Sequence, residues 1–499
     1  MLDTKDLLKL QNGSDVRGVA MDGIEGEAVN LTPAAVNRIA GAFVRWLENR
    51  TGKPAHELTV AVGNDSRLTA DPLRREALQA IMAAGAKALD CGLASTPAMF
   101  MSILFEETKA DGSIMLTASH LPFNRNGMKF FTKDGGLEKA DIKALLTDAA
   151  SVTPQASENT ARPCALITRY ARFLREKIRD GIGAGTQPLK GMHIVVDAGN
   201  GAGGFFATEV LEPLGADISG SQFLEPDGHF PNHIPNPENK AAMESIREAV
   251  RKNEADLGLI FDTDVDRMSA VLSDGREICR NALIAMMAAI LAPDYPKSTI
   301  VTDSVTSDEL TVFLEKELGL KHHRFQRGYK NVINECIRLN KEGTVSPMAI
   351  ETSGHGALSE NYYLDDGAFL AVKLLIAAAK LHHAGQKLAS LVDKLGEPAE
   401  SREIRLHVTA EDAHAAGDAV LAALENRAKA KGIGIATPSY EGVRLVFPQG
   451  WALLRMSLHD PEMPMNVEGR ENGSVAEIIK QMKELLTGLE GIDLAPLDK

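Results

Sequence analysis

The feature that most restricts how this chain can fold is a strand–turn–helix pattern that occurs three times. LTVAVGNDSRLTADPLRREALQAIMAAG, MHIVVDAGNGAGGFFATEVLEPLG and STIVTDSVTSDELTVFLEKELG each begin with a short apolar run, pass through a polar turn and continue as an amphipathic helical pattern. The opening runs, Thr59 to Val62, His193 to Val196 and Thr299 to Val301, are too short for helices and rich in β-branched residues, so strands are expected there. Strands alternating with helices imply parallel sheets covered on both faces. About 45 to 65 residues further on, each is followed by another apolar strand that runs into a distinctive loop. These are GSIMLTASHLPFNRNG from Gly112, DLGLIFDTDVDR from Asp256 and SPMAIETSGHG from Ser346. A repeated unit places each loop at the carboxyl end of a strand, where open α/β sheets present ligand-binding groups.

At 499 residues the chain is too long for one core, and roughly 150 residues per domain suggests three or four. TPQASENTARP near residues 153–163 and GEPAES near 396–401 read as linkers. Beyond the second, SREIRLHVTA reads as a strand, followed by an Ala-rich helix and by VRLVF and LLRMSL as further strands. The expected class is α/β: three similar mixed or parallel-sheet α/β domains (1–160, 161–273, 274–396) and a smaller C-terminal α+β domain (397–499).

The formal charge of -14 carries no basic run, which argues against a nucleic-acid partner. An anionic ligand must then be held by a local cluster of cations, which favours a small, deeply held molecule over a polymer. Cys91, Cys164, Cys279 and Cys336 form no CxxC pair and are expected to be buried thiols. MLDTKDLLKL lacks a signal-peptide pattern, and no apolar run approaches the roughly 20 residues that span a bilayer. No membrane partner and a cytoplasmic location are expected.

The loops hold the chemistry. In TASHLP, Ser119 ends a strand beside His120, and Asn126, Gly127 and Lys129 follow. Backbone N–H groups at such a turn can hold an anion, and an ordinary surface turn with an N-capping serine is the other reading of this loop alone. In DTDVDR, Asp262, Asp264 and Asp266 alternate, so an extended segment would point three carboxylates the same way. Two such charges about 4 Å apart repel by roughly 4 kcal/mol at an effective dielectric near 20, which a divalent cation relieves. An all-oxygen site suits Mg²⁺, and Arg267 adds a fixed cation for phosphate. An EF-hand is ruled out, because its Gly and Glu positions hold Arg267 and Ser273. The string also shares the DxD spacing that opens the DxDxV signature of haloacid-dehalogenase-like phosphotransferases, with Asp262 as nucleophile, but that reading leaves TASHLP and ETSGHG without a role. ETSGHG puts Glu351, Ser353 and His355 on alternate positions, suited to reading sugar hydroxyls and moving a proton. Near the end, Arg455, Ser457 and His459 alternate beyond a strand, a pattern that reads as a phosphate clamp.

Together and in this order the four loops resemble the α-D-phosphohexomutase superfamily, best the bacterial phosphomannomutase/phosphoglucomutase group, from SDVRGVA to LRMSLHDPEMPMNVEG. The resemblance implies four domains around a central cleft and a mutase that interconverts hexose 1-phosphate and hexose 6-phosphate, of glucose or mannose, through a 1,6-bisphosphate. It implies Ser119 as the phosphoserine, with His120, Lys129 and Arg17 around it. Asp262, Asp264 and Asp266 would hold Mg²⁺, with Ser119 completing the shell and Arg267 close to the transferring group. Glu351 and Ser353 would grip sugar hydroxyls, His355 would sit near the reacting oxygens, and Arg455, Ser457 and His459 would clamp the other phosphate. Arg327, Tyr329 and Lys330 of RGYKNV are read as extra phosphate contacts, and Asp65 and Arg67 of NDSR as structural. The expected partner is a small hexose phosphate, with the bisphosphate as activator, and the expected state is monomer or dimer. A non-catalytic sugar-phosphate-binding relative is a third reading. Two departures from the family pattern stand out: Thr263 and Val265 replace glycines of the usual DGDGDR, and Leu458 and His459 replace the usual Asn-Thr. Sealing a phosphoserine from water also leads to the expectation that the C-terminal domain hinges near residues 396–401.

Overall fold

A computed structural model describes residues 3–457 and 460–498. It divides into two compact units, Met1–Ile290 with Ser353–Leu391, and Leu291–Thr352 with Val392–Lys499.

In the first unit, the apolar runs seen in the sequence become strands. A mixed sheet orders Asp15–Val19, Arg125–Thr132, Gly112–Leu116, Thr59–Asn64 and Lys87–Leu93 side by side. The strand Gly112–Leu116 runs parallel to Thr59–Asn64 and antiparallel to Arg125–Thr132. Every residue of Gly112–Leu116 is buried, which is why it reads as a continuous apolar run rather than an alternating one. The long helix Pro33–Thr51 covers this sheet; its Phe43 meets Phe130 at 4.9 Å between ring centroids. A second mixed sheet orders Met268–Leu272, Leu257–Phe261 and Ile194–Asp197, the last two parallel. The chain after Ile194–Asp197 is a wide π turn, Phe206–Leu211, running into a 3₁₀ turn at Glu212–Leu214. There Pro213 withdraws a backbone donor and a regular α-helix is lost.

In the second unit, Thr299–Thr302 lies parallel to both Lys321–Arg324 and Met348–Ile350. The C-terminal part is a smaller α+β layer of antiparallel strands Glu400–His407, Glu462–Gly469, Gly450–Leu454 and Val443–Phe447. Leu406, Leu445, Met465 and Ile478 are buried in its core under the helices Ala413–Ala430 and Ser474–Leu486. The regular strand expected over LLRMSL ends at Leu454, beyond which the Arg455 N–H still donates to the Pro464 carbonyl (3.2 Å) and the Ser457 N–H to the Glu462 carbonyl (2.9 Å). The C-terminal layer is also clasped to the 299–308 segment. The Arg444 guanidinium lies 3.5 Å from the Trp451 ring centroid, donates to the carbonyls of Ser304 (3.1 Å) and Thr306 (3.3 Å), and pairs with Asp308 at 2.9 Å. A hinge at residues 396–401 alone would have to open this clasp.

No helix among the described residues is long and apolar enough to cross a membrane. All four cysteines are free thiols; Cys91 and Cys336 are buried as expected, whereas Cys164 and Cys279 are half-buried.

Candidate active site

The buried strand Gly112–Leu116 delivers Ser119 to a turn in which its φ is +48°, a left-handed conformation that a residue with a Cβ rarely adopts. Arg67 holds the turn there. Its guanidinium donates to the carbonyls of Ser119 (2.5 Å), Leu121 (2.5 Å), Pro122 (2.7 Å) and Arg125 (2.8 Å). Arg67 is buried beside Asp65, whose carboxylate lies 3.4 Å from Nε. Burial pushes the Asp65 carboxyl up to about 6, with Arg67 opposing. The NDSR segment is therefore structural, as read, but its structure is the support of the serine turn. Arg17 lies nearby, donating to the Thr117 carbonyl (3.2 Å) and to Asp15 (2.9 Å).

Ser119 Oγ donates to Asp262 Oδ2 at 2.8 Å and accepts from Arg267 Nη2 at 2.9 Å. The same Arg267 nitrogen lies 2.6 Å from His120 Nδ1. The Arg267 charge, together with burial, pushes His120 down to about 2, so its imidazole is neutral and accepts through Nδ1.

The aspartates converge by a route other than strand alternation. The strand Leu257–Phe261 ends before Asp262, and residues 262–266 form a tight turn with the Val265 N–H donating to the Asp262 carbonyl at 3.3 Å. Val265 has φ +67°, the conformation that a glycine would adopt without steric cost. The turn, not a pleat, brings carboxylate oxygens of Asp262, Asp264 and Asp266 within 4.8 Å of one another, all fully buried. Thr96 Oγ1 donates to Asp264 Oδ2 at 2.5 Å; the Lys129 ammonium, carried inward from Arg125–Thr132, contacts Asp266 Oδ2 and lies 3.4 Å from Asp264 Oδ2. Burial and the two neighbouring carboxylates push Asp262 well above the usual carboxylate range. Burial also acts on Asp266, but Lys129, His355 and Arg267 outweigh it and hold that carboxyl below its ordinary value. Asp264 Oδ1 and Asp266 Oδ1 are buried with no hydrogen-bond partner among the described residues. Orphaned oxygens in an all-carboxylate cluster fit a hard divalent cation such as Mg²⁺.

His355 lies next to this cluster, its Nδ1 2.5 Å from Asp365 Oδ2 and 3.9 Å from Asp266 Oδ1. Asp365 Oδ1 accepts the Gly356 N–H at 3.0 Å. Burial works against charge on His355, but the Asp365 carboxylate outweighs it and its pKa rises. Asp365 is absent from the sequence reading; the Asp365-Asp366-Gly367 run was the available signal. Ser353 is buried, with Oγ unpartnered among the described residues, and Gly354 at φ +94° turns the chain, so ETSGHG is not the extended alternation expected.

The second unit carries the other group. Glu351 accepts the Gly328 N–H at 2.6 Å. Arg327 lies 3.9 Å from the buried Asp303, and Tyr329 and Lys330 open the helix Tyr329–Lys341. Arg455 is buried, with Nη1 3.8 Å from Glu441 Oε1. The Ser457 N–H donates to the Glu462 carbonyl at 2.9 Å, and the Asp460 N–H to Ser457 Oγ at 3.3 Å. His459 lies outside the described residues. Glu441, which proves central to this group, stands in an unremarked SYEGVR string.

Family models describing phosphoglucomutase/phosphomannomutase α/β/α domains I, II and III match residues 9–155, 169–275 and 280–398 in that order. A phosphomannomutase/phosphoglucomutase of Pseudomonas putida is 28% identical, over 93% of this chain and 92% of that protein. A phosphoglucomutase/phosphomannomutase of Thermococcus kodakarensis is 28% identical over 96% of this chain and 100% of that protein. Among solved structures, a phosphoglucomutase/phosphomannomutase family protein of Burkholderia thailandensis superposes with a TM-score of 0.79 at 23% identity, covering 98% of this chain and 99% of that one.

Proposed function

Because the chain belongs to the phosphoglucomutase/phosphomannomutase family of α-D-phosphohexomutases, we propose that it interconverts hexose 1-phosphate and hexose 6-phosphate through a phosphoserine at Ser119. The observation that carries this is the setting of the Ser119 hydroxyl, within 3 Å of both a carboxylate of the aspartate cluster and the Arg267 guanidinium.

Phosphoryl transfer needs in-line positioning and charge stabilisation more than covalent help. In the first half-reaction the Oγ–P bond of phosphorylated Ser119 breaks as a bond forms from phosphorus to the free sugar hydroxyl, giving a hexose 1,6-bisphosphate. In the second, the bond from the other phosphorus to its sugar oxygen breaks as a bond forms from that phosphorus to Ser119 Oγ, and the sugar oxygen leaves as a protonated hydroxyl. Arg267 donates to Oγ in the resting enzyme and is in place to neutralise charge that develops there. Asp262, Asp264 and Asp266, with Ser119, are the residues that would hold Mg²⁺, which when bound supplies further charge neutralisation for the phosphoryl oxygens. The Lys129 ammonium lies between two carboxylates, which makes it a charge stabiliser. His355, whose Nδ1 is oriented by Asp365, is the residue proposed to handle the proton of the reacting hydroxyl. Glu351 and Ser353 bind sugar hydroxyls, and Arg455, Ser457 and the cations Arg327 and Lys330 bind the phosphate that is not transferring. The aspartyl-nucleophile reading has less support, since the family matches extend through all three α/β domains rather than one loop.

The test uses glucose 1-phosphate and mannose 1-phosphate side by side, with trace bisphosphate and Mg²⁺. Intact-mass analysis is expected to show one hydroxylamine-stable phosphate that maps to Ser119, and Ser119→Ala is expected to lower turnover by a factor of roughly a thousand or more, in line with loss of a covalent nucleophile. Near-normal turnover in that variant, or a hydroxylamine-labile phosphate on Asp262, would overturn the mechanism.

A further inference from the structure

We propose that Glu441 is a built-in competitor for the phosphate subsite of the second unit: a carboxylate that engages the same donors as a phosphate monoester and must be displaced when substrate binds. The inference rests on the reading of Arg455 as a phosphate clamp.

Glu441 presents its two oxygens to three groups of the kind that bind phosphate. Ser304 Oγ and the Arg327 backbone N–H (3.2 Å) both donate to Oε2, and Arg455 Nη1 lies 3.8 Å from Oε1. A hydroxyl, a backbone N–H and a guanidinium around one oxyanion are the donor set of a phosphate site, here met by a carboxylate. The position is built into the backbone. Gly442 has φ +60°, and a Cβ there would run into the Leu454 carbonyl oxygen and lie 2.8 Å from Arg455 Cβ. Only a glycine lets the Glu441 turn sit this close to the Arg455 backbone. The opposite wall is fixed as well, because the Ser304 carbonyl is held by the buried Arg444.

The contact with Arg455 is one a ligand can exchange. At 3.8 Å it is an ion pair without a hydrogen bond, and Arg455, 4% exposed, keeps a buried Nε with no hydrogen-bond partner among the described residues. That guanidinium has hydrogen-bonding capacity that the carboxylate leaves unused. The charge balance points the same way: Asp303 lies 3.9 Å from Arg327, and burial lowers the pKa of the Arg455 guanidinium against the opposing pull of Glu441. A dianionic phosphate entering beside Glu441 would meet a like charge, so binding requires the carboxylate to give up its donors.

Such an arrangement suits a reaction whose intermediate carries two phosphates and must let go of the subsite to turn end for end. A tethered carboxylate that reclaims the donors speeds release, weakening ground-state binding of a product that would otherwise be held too tightly.

The experiment measures binding of inorganic phosphate by calorimetry, together with KM and kcat, for wild type, Glu441→Gln, Glu441→Asp and Arg455→Ala. Removing the competing charge in Glu441→Gln is expected to tighten phosphate binding about tenfold, or about 1.4 kcal/mol. KM and kcat are expected to fall together in this variant. Glu441→Asp, too short to reach all three donors, should tighten binding by less. Arg455→Ala should weaken it in proportion to the lost guanidinium. If Arg455→Ala loses affinity while both Glu441 variants bind phosphate no more tightly than wild type, the competitor role is overturned and the clamp stands. If Arg455→Ala binds phosphate as wild type does, the clamp reading fails and this inference with it. A purely structural Glu441 would lower the melting temperature without tightening phosphate binding, which also counts against the proposal.

Discussion

Ser119 occupies a backbone conformation that its own side chain disfavours, and the restraint comes from Arg67, whose planar guanidinium caps four carbonyls of the serine turn. A lysine offers a point charge on a flexible stem and cannot satisfy these acceptors together. Arg67 is also one half of a buried ion pair with Asp65, so removing it strands a charge. Arg67→Ala is expected to destabilise the protein by about 3–5 kcal/mol. Arg67→Lys is expected to fold but to lose kcat by roughly a hundredfold with KM little changed, because a small displacement of a reacting group is that costly. Chemical denaturation and steady-state kinetics on the two variants test this; a Lys variant with normal kcat would show that Arg67 only stabilises.

The aspartate turn depends on an element that carries no chemistry itself. Gly201, in the glycine-rich turn after Ile194–Asp197, lies so close that a Cβ there would come 2.7 Å from the Thr263 carbonyl oxygen and 2.8 Å from Thr263 Cα, while the Ala202 N–H donates to that same oxygen. Both atoms met are backbone, so the turn itself would have to move. Gly201→Ala should cost about 1–3 kcal/mol through overpacking. It should also raise the Mg²⁺ concentration that half-saturates activity about tenfold, read by metal titration; an unchanged half-saturation would separate the two turns. What the sequence made legible here is uneven. The buried strands were readable because β-branched runs leave no other choice, and Ser119, the three aspartates and Lys129 were readable because their residue types are chemically costly to bury without a purpose. The path of the loops was not. Alternation suggested pleats at Asp262–Asp266 and at Glu351–His355, whereas Val265 and Gly354 turn left-handed there, a choice imposed by packing that periodicity does not report. Asp365 and Glu441 were missed for a related reason: each acquires its role from a distant partner, His355 or Arg455, and neither has a local pattern.

Across the whole molecule, an excess of negative charge coexists with buried carboxylates, and both metal and pH should therefore govern stability. With the orphaned oxygens of Asp264 and Asp266 satisfied, the folded state gains; free Mg²⁺ at a hundred times its dissociation constant should stabilise by about 2.7 kcal/mol, and chelation should reverse it. Asp264→Asn should remove most of this melting shift. The pH dependence is carried most clearly by Glu468, buried under Trp451, whose Nε1–H donates to it at 2.9 Å. Burial pushes its carboxyl up to about 7 from an ordinary 4.5, against the opposing pull of Arg444. A carboxyl whose folded pKa is raised binds its proton more tightly in the native state than in the unfolded chain. Its contribution is therefore complete below about pH 4.5 and is lost as pH rises through about 7, for a total of up to about 3 kcal/mol. Glu468→Gln keeps an acceptor for the Trp451 donor and removes the titration. The melting-temperature difference between variant and wild type should then grow in the variant's favour from pH 5 to pH 8, in scanning calorimetry at constant ionic strength. A difference that stays flat over that range would mean that Glu468 does not change its protonation state there and does not carry the pH dependence.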